Sequence, residues 1–268
     1  MTYWRYWRLN AAPFANDAAQ PLFRGATVEE ALARIEFLIS NRRRVGSLLG
    51  VSGVGKSSLL RYVAQNPPQT EEVPSLQVFR TSMLGLSSGE LLVDLATRLS
   101  GNRRAVDSPS AWKSLCDYFQ AASRQSLQTV LLIDDTESST TAAEADLSRL
   151  MAMAFSLTIV FSVETQLASA VSRCLFDRTE LQIELPGWEI SQTTEFLAWT
   201  AHRLGRKEPI FTDTAVQRIQ ALSEGIPRRI VQLADLALVA GAVGKADCVD
   251  AECVQQVAFE LPRTSTAA

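Results

Sequence analysis

The sequence predicts an α/β fold in which a five-stranded parallel sheet is flanked by helices, followed by a small all-helical C-terminal domain. Short apolar runs alternate with segments of helical periodicity up to about residue 186, and parallel strands need crossovers of this kind. From Pro186-Gly187 onward only helical periodicity remains, which indicates a domain boundary. We therefore expect an aromatic arm over 1–26, an α/β domain over 27–186 and a helical domain over 187–268.

The individual elements follow from the same periodicities. Val130 to Ile133 is the most apolar run and is typical of a strand buried on both sides. The predicted strands cover 45–49, 75–81, 129–134, 157–162 and 180–185. A capping box at Thr27-Val28-Glu29-Glu30 is expected to open the first long helix. The other predicted helices cover 56–66, 88–99, a segment from 108, 142–153, 165–174, 191–204, 212–224, 227–243 and 250–259.

Composition excludes several classes of protein. With a net charge of −3, the chain of 268 residues has no overall electrostatic reason to bind nucleic acid or a membrane surface, although Arg42–Arg44, Arg103-Arg104 and Arg228-Arg229 leave room for a small basic patch. No apolar run is long enough for a bilayer and no signal region opens the chain, so we expect a cytoplasmic protein. Four scattered cysteines and a single histidine argue against a zinc site.

A glycine-rich loop carries the clearest chemical signal. The residues from Gly50 to Ser57 fit the pattern G-x-x-x-x-G-K-[ST] without a mismatch, between a predicted strand and a predicted helix. Such a loop turns its backbone N–H groups onto phosphate oxygens, and the following helix adds unpaired N–H groups and its positive dipole end. An ordinary Gly/Ser turn is the alternative, and the flanking elements favour a phosphate site. The predicted nucleotide-binding residues are Gly50, Val51, Ser52, Gly53, Val54, Gly55, Lys56, Ser57 and Ser58.

Each polar group of this site has an expected role toward ATP and Mg²⁺. Lys56 supplies a charge to the β- and γ-phosphates, the Ser57 hydroxyl can ligate Mg²⁺, and Asp134 at the end of its strand is expected to hold the water shell of the metal. Asp135 stands where many P-loop ATPases place the glutamate that activates water. Because aspartate is one methylene shorter, binding is better supported than turnover, and Glu137 is an alternative base.

These residues resemble a known group of proteins over nearly the whole chain. Besides the loop and Asp134-Asp135, the resemblance rests on three segments: Tyr6–Leu9 with Pro13-Phe14, Leu175–Arg178, and Ser223–Arg228, which is similar to an S-x-G-x-P-R motif. The chain resembles AAA+ ATPases of the general secretion pathway A (ExeA-like) group. It is also similar to transposition ATPases of the TniB/TnsC type and to origin-recognition-type P-loop ATPase domains.

The resemblance implies further roles. It implies that the helical domain is a lid whose Arg228 senses the γ-phosphate, and that Arg178 acts on the site of a neighbouring subunit in a homo-oligomer. It implies a polar first sensor at the end of the fourth strand, for which Ser162, Glu164 and Thr165 are the alternatives. The aromatic residues of the arm either frame the base or simply pack.

Three functional hypotheses follow. The first is an ATPase that couples ATP hydrolysis to lid movement or to assembly with a partner. The second is a non-hydrolysing, ATP-dependent switch or scaffold, suggested by Asp135 in place of glutamate. The third is an ATP-dependent DNA-binding regulator of transposition or replication type, suggested by the resemblance and the arginine clusters. The absence of an Asn-Lys-x-Asp element argues against a guanine-specific GTPase.

Overall fold

A computed structural model of the chain describes residues 2–14, 21–69, 73, 75–86, 89–100, 107–153, 156–171 and 173–261. The chain divides into two compact units. We call Val28–Leu185 the α/β unit, and Met1–Thr27 together with Pro186–Ala268 the helical unit. The arm at the beginning of the chain is therefore grouped with the C-terminal helices.

The α/β unit is built on a five-stranded sheet of parallel strands. The strands are β1 (Val45–Gly50), β2 (Leu76–Ser82), β3 (Gln128–Asp134), β4 (Leu157–Glu164) and β5 (Leu181–Glu184). Their order is β2-β3-β4-β1-β5, and each pair of neighbours is parallel. Both β1 and β3 are buried along their whole length, as expected for strands covered on both faces. The predicted fold class is confirmed.

The remaining regular elements are helices, which are distributed over both units. Those before β5 are α1 (Tyr3–Tyr6), α2 (Ala26–Ser40), α3 (Lys56–Gln65), α4 (Glu90–Ser100), α5 (Ser108–Arg124), α6 (Thr141–Met153) and α7 (Arg173–Phe176). Those after it are α8 (Ile190–Arg203), α9 (Asp213–Ser223), α10 (Pro227–Val243) and α11 (Ala251–Ala258). Short 3₁₀ helices follow β3 (Thr136–Ser138) and β4 (Thr165–Ala170). The core of the α/β unit joins α4, α5 and α6 to the sheet through large buried side chains such as Leu91, Leu115, Leu147 and Phe161.

Two local predictions are wrong. Thr27 does not precede α2 as a cap, because the helix begins at Ala26 and the Thr27 hydroxyl bonds the side-chain amide of Gln192. The predicted helix over 165–174 is instead a 3₁₀ helix followed by the short α7. The break lies at Val171, which takes an extended backbone conformation and buries its side chain in the core. Ser87 and Ser88, where the helix now called α4 was expected to begin, lie outside the described residues.

The aromatic arm packs into the core of the helical unit. Trp7 is 1% exposed, and its indole N–H donates to the carbonyl of Leu238 at 2.8 Å. The Trp7 carbonyl accepts from the Arg206 guanidinium at 3.0 Å, and the Tyr6 hydroxyl donates to the Ala246 carbonyl at 2.8 Å. Of the two roles left open for the arm, packing is the one that these contacts display.

Candidate phosphate-binding site

The glycine-rich loop leaves the centre of the sheet. Gly50 ends β1 between β4 and β5, and a Cβ added to it would lie 2.8 Å from the Leu185 carbonyl oxygen and 2.7 Å from Val54 Cγ1. Gly55 caps α3 with φ at 111°, in the left-handed region that favours glycine. The two glycines are therefore required for different reasons, the first by close approach and the second by backbone angle.

Lys56 is folded onto the loop that precedes it. Its ammonium group donates to the carbonyl of Gly50 at 2.7 Å and to the carbonyl of Val51 at 3.1 Å. Both acceptors belong to the loop itself, so the positive charge lies against the loop backbone. Lys56 is the first residue of α3, and Ser57 and Ser58 complete the start of its first turn.

Asp134 at the end of β3 joins the loop to the neighbouring strands. Its Oδ1 accepts from the Ser162 hydroxyl at 2.6 Å and its Oδ2 accepts from Arg80 Nη2 at 2.7 Å, and the Ser57 hydroxyl lies near the same carboxylate. Burial by itself raises the pKa of this carboxyl, but the hydrogen bonds from Ser162 and Arg80, the nearby Ser57 hydroxyl and the guanidinium charge outweigh burial and hold the pKa below the usual aspartate range. The structure thus brings an ionised carboxylate and the loop serine together.

The same pair suits a magnesium ion. Mg²⁺ prefers oxygen ligands, keeps several waters, and is commonly held by one or two protein groups together with substrate phosphates. The hydroxyl of Ser57 and the carboxylate of Asp134 provide such oxygens at the end of the loop. Over the described part of the chain, no group of three or more His, Cys, Asp or Glu side chains forms a separate metal site.

Two residues of β2 also belong to the site, and the sequence interpretation missed them. Arg80 pairs with Asp134, and the Ser82 hydroxyl donates to Asp135 Oδ2 at 2.7 Å. Ser82 is the register partner of Asp134 across the β2–β3 pair. The only signal in the sequence is that they are polar residues near the end of a predicted strand. Their role can be inferred only once β2 is known to lie beside β3.

The two candidate bases point to opposite sides of β3. Asp135 has φ at 54° and is bonded to Ser82 of β2, the edge strand. Glu137 accepts from the backbone N–H of Glu164 at 3.3 Å, on the side of β4 and β1. Since Glu164 is the register partner of Gly50, the Glu137 carboxylate lies on the side of β3 from which the glycine-rich loop departs.

The three candidate sensors differ in their surroundings. Ser162 is 1% exposed and bonds Asp134 directly. Glu164 ends β4 and uses its backbone N–H to hold Glu137. Thr165 is exposed at the beginning of the 3₁₀ helix. Of the three, Ser162 is the one whose hydroxyl is placed among the polar groups of the site.

The two arginines assigned by resemblance are both exposed. Arg178 lies in the turn between α7 and β5, where its backbone N–H donates to the Leu175 carbonyl. Arg228 is the second residue of α10 in the helical unit, directly after Pro227. Neither side chain is part of a buried core. An arginine that acts on a partner or a ligand must be exposed in this way.

The S-x-G-x-P-R segment has a structural basis in the helical unit. Gly225 has φ at 71°, and a Cβ added to it would lie 2.1 Å from the carbonyl oxygen of Trp188. The Gly225 carbonyl accepts from the Trp188 N–H at 2.7 Å, and the buried Ser223 hydroxyl accepts from the Gly225 N–H at 3.2 Å. Pro227 then begins α10, the helix position that proline favours. The motif therefore fixes the angle at which Arg228 leaves the turn.

Residues 39–171 match the sequence profile of the AAA domain family. This segment of the chain is an AAA domain. It contains the glycine-rich loop, Asp134 and Ser162, whereas Arg178 and Arg228 lie beyond its matched end. No curated protein matches the chain.

Solved structures share the fold of the AAA domain and of the helices after it. ORC2 from Aeropyrum pernix, determined with ADPNP and ADP, has a TM-score of 0.67 at 14% identity, over 96% of this chain and 73% of that one. The RuvB Holliday junction branch migration motor from Thermotoga maritima has a TM-score of 0.56 at 19% identity, over 87% and 67%. ORC from Drosophila, bound to DNA, has a TM-score of 0.63 at 19% identity, over 91% and 63%. At these identities the likeness concerns the fold.

No described helix is long and apolar enough to cross a membrane.

Proposed function

We propose that this chain binds ATP with Mg²⁺ at the glycine-rich loop and hydrolyses it, and that the cycle moves the helical unit or drives assembly with a partner. The observation that carries the proposal is the position of the Ser57 hydroxyl near the buried carboxylate of Asp134, which is bonded to Ser162 and Arg80. The end of the loop and the end of β3 thus offer two oxygen ligands close to the loop backbone, whose N–H groups suit the phosphates of the same ligand.

The binding step uses groups already described. The N–H groups of the loop and of the first turn of α3, including those of Ser57 and Ser58, face the phosphates, and Lys56 exchanges its two loop carbonyls for phosphate oxygens. A bound Mg²⁺ supplies charge neutralisation between the β- and γ-phosphates. Asp134 and Ser57 are the residues that would hold it.

The hydrolytic step needs a carboxylate that takes a proton from water. The water oxygen bonds to the γ-phosphorus, the bond from that phosphorus to the β–γ bridging oxygen breaks, and ADP and phosphate leave. We assign acceptance of this proton to Asp135, whose hydrogen bond with Ser82 must first break. We assign the role of sensor to Ser162, which bonds Asp134. Glu137 is the alternative base, and its carboxylate already lies on the side of the loop.

Exchange of Asp135 for asparagine distinguishes these bases. If Asp135 takes the proton, Asp135→Asn is expected to bind ATP normally and to lower the rate of phosphate release by at least about 100-fold, the usual range for a general base. Glu137→Gln serves as the matched control and should retain most of the turnover. Full turnover by Asp135→Asn combined with loss in Glu137→Gln would assign the proton to Glu137 instead.

One observation favours the second candidate function, a switch that binds ATP without hydrolysing it. The Asp135 carboxylate is held by Ser82 on the edge strand, away from the side on which β1 and its loop lie. Wild-type protein that binds ATP but releases no phosphate under any condition, with Glu137→Gln and Asp135→Asn indistinguishable from it, would establish this alternative.

Assembly and the partner are further parts of the proposal. Arg178 is exposed, as a residue that completes the site of a second copy must be, and Arg228 is proposed to couple the bound γ-phosphate to the helical unit. The finer relationship to ExeA-like and TniB/TnsC-type ATPases is also proposed, and DNA is a candidate partner because one ORC structure of the same fold is bound to DNA.

A concentration series tests assembly and DNA together. If Arg178 acts between subunits, phosphate release per molecule is expected to rise as the protein concentration increases, and Arg178→Ala should abolish that rise. Size measurement with and without ATP in the same samples identifies the assembled species. Turnover per molecule that stays constant down to monomeric concentrations would contradict the role of Arg178. The same series with duplex DNA at low and high salt shows whether DNA binds and raises turnover.

A further inference from the structure

An arginine from the edge strand holds the carboxylate that the proposed metal site depends on. Arg80 Nη2 lies 2.7 Å from Asp134 Oδ2, and the two side chains are 31% and 2% exposed, respectively. Taking the proposed function as its basis, we propose that Arg80 is a positioning residue that compensates the charge of Asp134 in the nucleotide-free protein. By sharing that carboxylate, it also sets the Mg²⁺ concentration that ATP binding requires.

The need for compensation follows from burial. A carboxylate removed from water is costly unless a positive charge or several hydrogen bonds accompany it. The Ser162 hydroxyl supplies a hydrogen bond to Asp134 and the Ser57 hydroxyl lies near it, but neither group supplies a charge. Among the residues that the structure describes, Arg80 is the cationic side chain that bonds this carboxylate. In the absence of a metal ion, it is therefore the group that balances the buried negative charge.

The hydrogen bonding of Arg80 indicates that its charge is what matters. Its Nε is buried, and among the described residues it has no hydrogen-bond partner. The backbone carbonyl of Arg80 accepts from the Arg98 guanidinium, whose Nε is paired with Asp94. Arg98 therefore bonds the backbone of β2 and provides no acceptor for the Nε of Arg80. A side chain with an unpaired buried N–H contributes to this site chiefly through its charged contact with Asp134.

The strand order explains why Arg80 tunes the site and does not block it. Arg80 reaches Asp134 from β2, whereas Ser162 reaches it from β4, beyond which lies β1 with its loop. The two strands flank β3 on opposite sides. A second cation attracted to Asp134 would thus approach from the side toward the loop, opposite Arg80, and would meet a carboxylate that Arg80 already partly neutralises. The Arg80 charge repels Mg²⁺, and this repulsion is weakened because the side chain is partly exposed and screened by salt. We expect it to raise the Mg²⁺ concentration that ATP binding requires by about tenfold.

The test is a Mg²⁺ titration of nucleotide binding. A fluorescent ATP analogue is held at constant concentration while MgCl₂ is increased, for the wild-type protein and for Arg80→Met, Arg80→Gln and Arg80→Lys. The two neutral variants are expected to reach half-saturation at about tenfold lower Mg²⁺. Arg80→Lys keeps the charge and should stay close to wild type. Arg43→Met, which breaks an exposed ion pair with Glu180 at the other end of the sheet, is the matched control and should not move the curve.

Thermal unfolding of the same proteins tests the other half of the inference. Without metal, the neutral variants should unfold at a lower temperature than wild type, and saturating Mg²⁺ with the analogue should reduce the difference. If neither variant folds without metal, recovery of folding by Mg²⁺ and the analogue supports the inference, and no recovery overturns it. Half-saturation at unchanged or higher Mg²⁺ in the neutral variants, or an equal shift in Arg80→Lys, also overturns it. Failure of the wild-type protein to bind the analogue at any Mg²⁺ concentration would refute the proposed function itself.

Discussion

Replacement of Trp7 by alanine is expected to destabilise the helical unit by about 3–5 kcal/mol, the usual cost of truncating a buried aromatic side chain. The indole of Trp7 is 1% exposed, and its N–H is bonded to the Leu238 carbonyl. The ring also lies against Gly241, where an added Cβ would approach it to 2.7 Å. Truncation therefore opens a cavity under α10 and removes the indole hydrogen bond to a carbonyl of that helix.

Tryptophan fluorescence during denaturation measures this effect. Of the five tryptophans, Trp4, Trp7, Trp188 and Trp199 belong to the helical unit, and Trp112 belongs to the α/β unit. The signal consequently reports mainly on the helical unit. Trp4→Ala is the matched control, because Trp4 is only half-buried and its loss should cost much less. A Trp7→Ala protein as stable as Trp4→Ala would show that the arm is not part of this core.

The arm illustrates what the sequence leaves undecided. Its aromatic residues are visible in the sequence, but nothing local distinguishes a side chain that meets a nucleotide base from one that packs. The partners of Trp7 and Tyr6 lie more than 190 residues away in the chain, at Arg206, Leu238 and Ala246. Only the assembled helical unit brings these partners together.

The glycine-rich loop and Asp134 were predictable because each is a local pattern. A buried strand followed by G-x-x-x-x-G-K-[ST] and a helix requires only consecutive residues, and Asp134 directly ends the most apolar run. Strand alternation then implied the parallel sheet. These features depend on short-range constraints on backbone angle and burial, which can be identified directly from consecutive residue types.

Arg80 and Ser82 were not predictable in the same way. Arg80 is 54 residues before Asp134, and the two meet only because β2 lies beside β3 in the sheet. Periodicity identifies a strand without giving its neighbours. The division of Asp135 and Glu137 between the two sides of β3 likewise depends on strand order. Sequence reasoning thus identified the residues of the candidate phosphate site, whereas the charged residues around them became visible only with the strand order.

Loss of the Lys56 charge is the second large effect that we expect. The Lys56 ammonium group already lies against the loop carbonyls of Gly50 and Val51. Its replacement removes charge-assisted hydrogen bonds to phosphate oxygens, which typically contribute about 1.5–3 kcal/mol. We therefore expect Lys56→Ala to bind ATP about 100-fold more weakly than the wild-type protein. The fold should be retained, because Lys56 is only half-buried.

Equilibrium binding of ATP is thus the most direct test of the central claim, that Gly50–Ser57 with Asp134 form a nucleotide site. Isothermal titration calorimetry of ATP with Mg²⁺ compares the wild-type protein with Lys56→Ala, and with Lys113→Ala, which removes an exposed lysine from α5 of the same unit. We predict one ATP per chain for wild type and Lys113→Ala, and about 100-fold weaker binding for Lys56→Ala. Equal affinity in all three proteins, or no binding by the wild-type protein, would contradict the assignment of this loop.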